Sequence, residues 1–293
     1  MIAKKTRFRP IDVVIIAICI ALGVYVYFRI KYGLEYKGNW SVIPYFLFRP
    51  DTETGRVVPN FLMEGLFTTL KLSIWATILA TILGVIMGIF RTSKDLFLRM
   101  VGRTYVELMR NIPALVVIFI FYFFIVDQIM PLLGLEEFIR SRPESVKAIL
   151  AVLFAKQSLF VQFVSGVLTV AFFEGAYISE IIRAGIESIE RGQREAAYSL
   201  GLSSFDQMRF IIMPQAIKRV LPPLANEFIN TIKYSSITSV VSIQELTYMG
   251  RQVIALTRYM FETWITVAVM YLTLTFSLSL LVGRLEKRLR VSD

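Results

Sequence analysis

Two sets of polar residues interrupt apolar stretches of this chain, and each set has a spacing that gathers it on one side of a helix. Glu174, Tyr177 and Glu180 recur every three residues and share a sector of one segment. Asn226, Asn230 and Lys233 fall at i, i+4 and i+7, one stripe of a later segment. An ionised side chain at the centre of a bilayer costs roughly 2.5–3.5 kcal/mol on insertion scales, so each needs a reason to be there. An acidic, an amide and a basic surface facing one another offer acceptors to a cation and donors to an anion. These two stripes are expected to line a polar pocket or pathway. The competing expectation is structural: Lys233 pairs with Glu180 or Glu227 as a lock, or Glu180 and Arg183 sit at the membrane surface.

Other chemistry is poorly served. The chain has no His, which removes the commonest metal ligand and proton shuttle. Its one Cys, Cys19, forms no intrachain disulfide and suggests no thiolate metal site. There is no Gly-x-x-x-x-Gly-Lys-Ser/Thr phosphate loop, so ATP is not hydrolysed on this chain. The Ser and Asp residues form no evident nucleophile–base set. Lys71 and Glu64 lie near the end of an apolar run, where snorkelling to water accounts for them. Asp127 reads as an interfacial acid, and the aromatic run 119–124 as packing or lipid-facing surface.

A third constellation is mechanical. Residues 195–214 read EAAYSLGLSSFDQMRFIIMP. Glu195 lies near the start of a short helix, where the dipole favours an acid. Ala196 and Ala197 form helix well and let another surface approach. Gly201 suits a left-handed helix end. Ser204-Phe205-Asp206-Gln207 has the form of a capping box for a second short helix, and Pro214 stops or bends it. Two short helices joined at a Gly hinge make a poor enzyme site and a good docking site. Upstream, Arg183–Glu187, Glu187–Arg191 and Glu190–Arg194 are i, i+4 pairs, which predicts a solvated helix linking this loop to the Glu174–Glu180 sector.

The elements that must position these residues are membrane helices. Of the 293 residues 56% are hydrophobic and mean hydropathy is +0.62, well above a soluble domain. Six spans are predicted, at about 11–28, 66–90, 112–133, 159–182, 221–243 and 264–282, the fifth opened by Pro222-Pro223. The first residues, MIAKKTRFRP, precede a retained signal-anchor helix rather than a cleaved leader, because Ala21-Leu22-Gly23 lies inside the apolar run. The net charge of +10 is placed by topology, not by nucleic acid. Segments 1–10, 91–110, 183–219 and 284–293 hold 19 of the 32 Lys and Arg residues, against 11 in the intervening loops. That bias puts both termini and the Glu195 loop in the cytoplasm.

The loop resembles the coupling loop of ABC-transporter permeases, with Met213 where the family pattern has Leu before Pro214. The likeness extends over about residues 62–283. Gly175-Ala176-Tyr177-Ile178-Ser179-Glu180-Ile181-Ile182-Arg183-Ala184-Gly185 and Gly192-Gln193 resemble the run before that loop in polar amino acid permeases. Pro214-Gln215-Ala216, Leu221-Pro222-Pro223-Leu224, Asn226-Glu227-Phe228-Ile229 and Glu245-Leu246 follow the same pattern. Lys233-Tyr234-Ser235-Ser236-Ile237 is similar to its Lys-Asp-Thr-Ser-Leu, with Tyr234 in place of the acid. Arg110-Asn111-Ile112-Pro113 resembles its Arg-Gly-Thr-Pro, and Gly65–Leu70 the start of its core.

The resemblance implies an all-α membrane protein with a five-helix type I permease core plus one N-terminal helix. Its parts are 1–61 (N-terminal transmembrane helix and extracytoplasmic loop), 62–285 (core, with the coupling loop at 192–214) and 286–293 (cytoplasmic tail). It implies the transmembrane subunit of an ATP-driven importer for a polar amino acid in a bacterial inner membrane. The zwitterionic substrate would meet Glu174, Tyr177, Glu180, Asn226, Asn230 and Lys233. An ATPase would dock on Glu195, Ala196, Ala197 and Gly201. Expected partners are ABC ATPase subunits, which hold the ATP and Mg, an extracytoplasmic binding protein, a second permease chain, identical or homologous, and the bilayer. No cofactor on this chain and no nucleic acid are expected. Alternatives are a permease for an opine, an organic anion or another small polar solute, or a secondary transporter or channel, which would have no use for the docking loop.

Overall fold

A ladder of small residues on one long helix organises the packing. The computed structural model describes residues 10–33, 38–52 and 55–289; the expected N-terminal charge cluster at 1–9 and the end of the tail lie outside them. The chain divides between Trp40 and Ser41 into two units. The first contains α1 (Pro10–Gly33), whose residues 10–29 are long and apolar enough to span a membrane. Cys19 on it is exposed and free.

The second unit opens with α2 (Ile43–Leu47) and an antiparallel hairpin, β1 (Phe48–Pro50) with β2 (Val57–Pro59), registered Phe48 to Pro59. Next comes α3 (Phe61–Thr92). Its Ala76, Ala80, Gly84 and Gly88 recur every four residues and are all buried. Small side chains let a neighbouring membrane helix approach closely where no water-driven apolar force operates. Here α9 (Phe160–Glu187) is that neighbour. A Cβ added to Gly84 would lie 2.5 Å from Ile178 Cγ2, and one added to Gly88 would lie 2.7 Å from the Ile182 side chain.

Between them lie α4 (Leu96–Asn111), capped by Asp95 accepting from Leu98 N at 3.0 Å, and α5 (Ala114–Ile120). A π-helical stretch (Phe121–Val126) joins α5 to the short α6 (Asp127–Ile129). In the aromatic run, Phe121 stacks on Phe172 at 4.2 Å while Phe124 is exposed, so both expected roles are filled. The following insert forms α7 (Leu135–Arg140) and α8 (Glu144–Leu153). It is strapped to α3: Lys71 Nζ donates to Ala151 O at 2.8 Å and Trp75 Nε1 to Leu153 O at 3.0 Å. Lys71 therefore does not snorkel; it holds the insert, beside a cavity of about 340 Å³ that Lys156 and Glu64 also line.

After α9 come α10 (Arg191–Ser199), α11 (Ser204–Asp206), α12 (Met213–Ser235), α13 (Leu246–Thr257) and α14 (Met260–Leu289). Helices covering 61–92, 114–133, 157–187 and 260–284 join 10–29 as long and apolar enough to cross a bilayer. The remaining expected span, the fifth, falls on α12. It is more polar, and it packs against α9, α3 and α14. It begins at Met213, well before the expected start, and runs through Pro222 and Pro223. Those prolines remove two helical donors, which packed neighbours tolerate in a membrane helix. At the start of α13, the carboxylate of buried Glu245 accepts from Tyr248 N at 2.7 Å, Thr247 N at 2.9 Å and the Tyr271 hydroxyl at 2.6 Å. Burial pushes Glu245 up to about 7 despite these donors.

Candidate functional site

Glu174 lies in the middle of α9 with no exposed surface. It sits against Glu227 and Thr231 of α12, and among the described residues neither of its carboxyl oxygens lies in hydrogen-bond geometry with a partner. Glu227 is buried as well and accepts from Asn230 Nδ2 at 3.1 Å, while Thr231 Oγ1 donates to the Glu227 carbonyl at 3.0 Å. Three rings flank this pair. Phe173 meets Tyr177 at 5.2 Å and Tyr234 at 5.7 Å, and the two tyrosines stack at 6.5 Å. The Arg110 guanidinium lies 5.7 Å from the Tyr177 ring centre. Two carboxyls, an amide, two phenols and a guanidinium thus gather where α9 and α12 cross.

Glycine lets α4 reach the same stretch of α9. A Cβ at Gly175, next to Glu174, would lie 2.7 Å from the Tyr105 hydroxyl, which donates to Phe172 O at 2.5 Å. The result joins Glu174, Tyr177 and Asn230, as the spacing predicts. It does not bring Asn226 or Lys233 to Glu174: both lie on an exposed part of α12. The stripe of α12 that meets α9 is Glu227, Asn230, Thr231 and Tyr234. Spacing groups residues along a helix; which sector faces a neighbour is decided by packing, and the buried Thr231 and Ser235 mark that sector.

Glu180, the third member of the α9 set, belongs to another structure. It pairs with Arg183 on its own helix, with Arg91 of α3 at 2.6 Å and with Arg110 of α4 at 3.4 Å. The surface lock, rather than the pathway, describes Glu180, and its partners are arginines instead of Lys233. Arg183 also pairs with Glu187. The further i, i+4 pairs, Glu187–Arg191 and Glu190–Arg194, do not form within a helix because α9 ends at Glu187. Arg194 instead donates to Ile186 O at 2.9 Å, satisfying a carbonyl of the last turn of α9, and Arg219 of α12 donates to Ser188 O, just past the helix end, at 2.5 Å.

At this same end lie the two short helices and the Gly hinge expected at 195–214. Helix α10 carries Glu195, Ala196 and Ala197, and it ends in a Schellman motif: Leu202 N donates to Ala197 O, and Gly201 N to Tyr198 O, with Gly201 at φ 77°. Ala197 packs inward, whereas Glu195 and Ala196 face out beside strongly exposed Tyr198, Leu200 and Phe205. The second helix differs from expectation. Its cap is Ser203, which accepts from Asp206 N at 3.2 Å, not Ser204. It continues through a π-helical stretch (Gln207–Ile212) into α12, and Pro214, in the first turn of α12, does not stop the helix. Below it, Ile212 and Ala216 pack with Ile182 and Ile186 of α9, so this loop and α9 share a core.

Comparison with known proteins agrees with this arrangement. A family model described as binding-protein-dependent transport system inner membrane component matches residues 80–291. The chain is 37% identical over 233 residues to a probable glutamine ABC transporter permease protein, GlnM, of Bacillus subtilis, covering 80% of this chain and 95% of that one. It is 43% identical over 129 residues to the glutamine transport system permease protein GlnP of Escherichia coli, covering 44% and 59%. Among solved structures, an amino acid ABC transporter crystallised with histidines aligns with a TM-score of 0.62 at 33% identity, covering 78% of this chain and 94% of that one. The MetNI methionine ABC transporter shares the fold, with a TM-score of 0.58 at 16% identity. The chain belongs to the binding-protein-dependent transport system inner membrane component family, and it is a membrane-spanning permease subunit of an ABC importer.

Proposed function

We propose that this permease carries a polar amino acid, with glutamine the first to test, and that the carboxyl pair Glu174–Glu227 receives the substrate's ammonium group. The observation that carries this reading is Glu174: fully buried in a membrane helix, with no hydrogen-bond partner on either oxygen among the described residues. A carboxyl held this way is costly in the resting protein and gains most from a passing cationic group with N–H donors. Tyr177, Tyr234 and Asn230 supply neutral donors and acceptors beside it, and Arg110 is near enough to attract a carboxylate. The names of the similar proteins support an amino acid over an opine or organic anion.

Energy comes from ATPase subunits that hold ATP and Mg and dock on Glu195, Ala196 and the exposed Tyr198, Leu200 and Phe205. Closure of those subunits would move α10, and the shared core of Ile182, Ile186, Ile212 and Ala216 would pass the motion to α9 and α12. A binding protein delivers substrate on the opposite face, and a second permease chain completes the pathway. The basic bias of the loops supports cytoplasmic termini.

The test is uptake of labelled glutamine by the complete transporter in proteoliposomes. Glu174→Gln should assemble with its ATPase, hydrolyse ATP, and lose uptake about tenfold or more. Unchanged uptake with Glu174→Gln and with Glu227→Gln would refute the carboxyl site. The docking reading is tested separately: Gly201→Val, strained at a positive φ, should release the ATPase during purification.

A further inference from the structure

Helix α4 has three faces rather than two. At about 100° per residue, Gly102, Tyr105 and Val106 fall within about 100° of arc, and all three are buried. This face is fixed to the core by the Tyr105 hydroxyl on Phe172 O and by Gly102, whose added Cβ would meet Arg91 Cγ at 2.8 Å and Met87 O at 2.9 Å. Leu96, Phe97, Met100 and Leu108 fall within about 120° on a second face, and each is more than half exposed. Arg99, Arg103 and Arg110 occupy about 40° at the border between the two.

The surroundings of this helix fix what can cover it. It starts just after the span 61–92 and ends just before the span 114–133, at the end of α9 where Arg91 reaches Glu180. Only residues 93–95 and 112–113 join α4 to the two spans, and so short a tether at each end holds it close to the bilayer surface. Its four large apolar side chains then lie at acyl-chain level, and its arginine edge at headgroup level. Arg110 is turned toward Glu180 and Tyr177, away from the exposed apolar face. Arg99 reaches only the Ser93 carbonyl, at 3.3 Å, and Arg103 has no ion pair among the described residues. These two stand one turn apart, so their like charges repel until an anion sits between them. The nearby acid, Glu107, is one turn beyond Arg103 and accepts from Asn111 Nδ2 at 2.8 Å.

We propose that α4 is an interfacial lipid-binding helix, with Arg99 and Arg103 clasping the phosphodiester of an anionic phospholipid while Leu96, Phe97, Met100 and Leu108 take its acyl chains. Bidentate guanidinium contacts suit a phosphodiester better than the choline-shielded phosphate of a zwitterionic lipid.

Full-length permease in detergent is titrated with phosphatidylglycerol and, separately, with phosphatidylcholine, and bound lipid is counted by native mass spectrometry. Phosphatidylglycerol should bind about tenfold or more tightly than phosphatidylcholine. The double variant Arg99→Gln/Arg103→Gln should weaken phosphatidylglycerol by roughly thirtyfold and leave phosphatidylcholine unchanged. Glu107→Gln should tighten phosphatidylglycerol severalfold, a gain that misfolding cannot mimic. Equal affinity for the two lipids, or a double variant that binds as well as wild type, overturns the proposal. A second readout places the Phe97→Trp variant in vesicles containing bromine-labelled acyl chains. Quenching of the introduced indole is expected; an unquenched indole means that protein covers this face, and it overturns the proposal too.

Discussion

Glu174 and Glu180 stand six residues apart on one helix and live under opposite rules. Glu180, partly exposed, draws three guanidiniums from α3, α4 and its own helix. Glu174, wholly buried, has another carboxyl as neighbour and, among the described residues, no donor in hydrogen-bond geometry. Glu245 lies between these extremes: it is as buried as Glu174, yet it has three neutral donors. The donors, more than depth, separate an acid that holds helices together from an acid kept available. Stability effects at the three acids should therefore fall in order of their donors.

Glu180→Ala should show the largest loss. It leaves the nearly buried Arg91 and the partly buried Arg183 without their shared anion, and removing one partner of such a network costs about 2 to 3 kcal/mol once exposure is allowed for. Thermal unfolding in detergent measures it. A stability equal to wild type would mean that the arginines are served by water, and the contrast with Glu174 would collapse.

Glu245 should appear as a pH effect. Its folded value, about 7, lies above that of an unfolded glutamate, so the folded state binds the extra proton. The stability this gives is fully present below the unfolded value and disappears as pH rises through about 7. From pH 5 to pH 8 the unfolding free energy should fall by about 2 kcal/mol, and Glu245→Gln should flatten that slope. A slope unchanged by the substitution would assign it to other groups.

Gly84→Ala tests the frame that sets both α9 acids. The new methyl would lie 2.5 Å from Ile178 Cγ2 and 3.0 Å from Ser179 N, between Glu174 and Glu180. Overpacking of this kind costs about 1 to 2 kcal/mol. Because Ser179 N is backbone, α9 must shift, and the Glu180 contacts should weaken with it. Additive losses in a Gly84→Ala/Glu180→Ala pair would show that the seam and the ion cluster are independent.

What the sequence made legible follows the same physics. The long apolar spans and the short helix ending at Gly201 were readable because hydropathy and the Glu195–Gly201 pattern act locally. The face of α12 that meets α9 was not, because Asn226–Lys233 and Glu227–Thr231 are equally regular stripes and only packing chooses between them. The Ala76–Gly88 ladder carried a signal, a small residue every fourth position, that reading for polar groups passes over. The end of α9 at Glu187 hid behind good i, i+4 charge spacing, since Arg194 and Arg219 serve backbone carbonyls instead. The second helix of the loop was misplaced by one residue at its cap because Ser203 and Ser204 are adjacent and only the first reaches Asp206.

The smallest stability change should fall at Glu174, and its sign should be reversed. Glu174→Gln removes a desolvated acid beside Glu227 and substitutes an amide that donates to the Glu227 carboxyl. The variant should be as stable as wild type or more so, by about 1 kcal/mol. The same variant should lose uptake, so stability and transport would part at this residue and move together at Glu180, where loss of the arginine cluster harms both. A Glu174→Gln protein that unfolds several degrees early would instead make Glu174 a structural partner of α12, with donors supplied by the assembled transporter. A stable protein that no longer carries substrate leaves only the reading in which the cost of burying Glu174 is retained for the substrate's ammonium group.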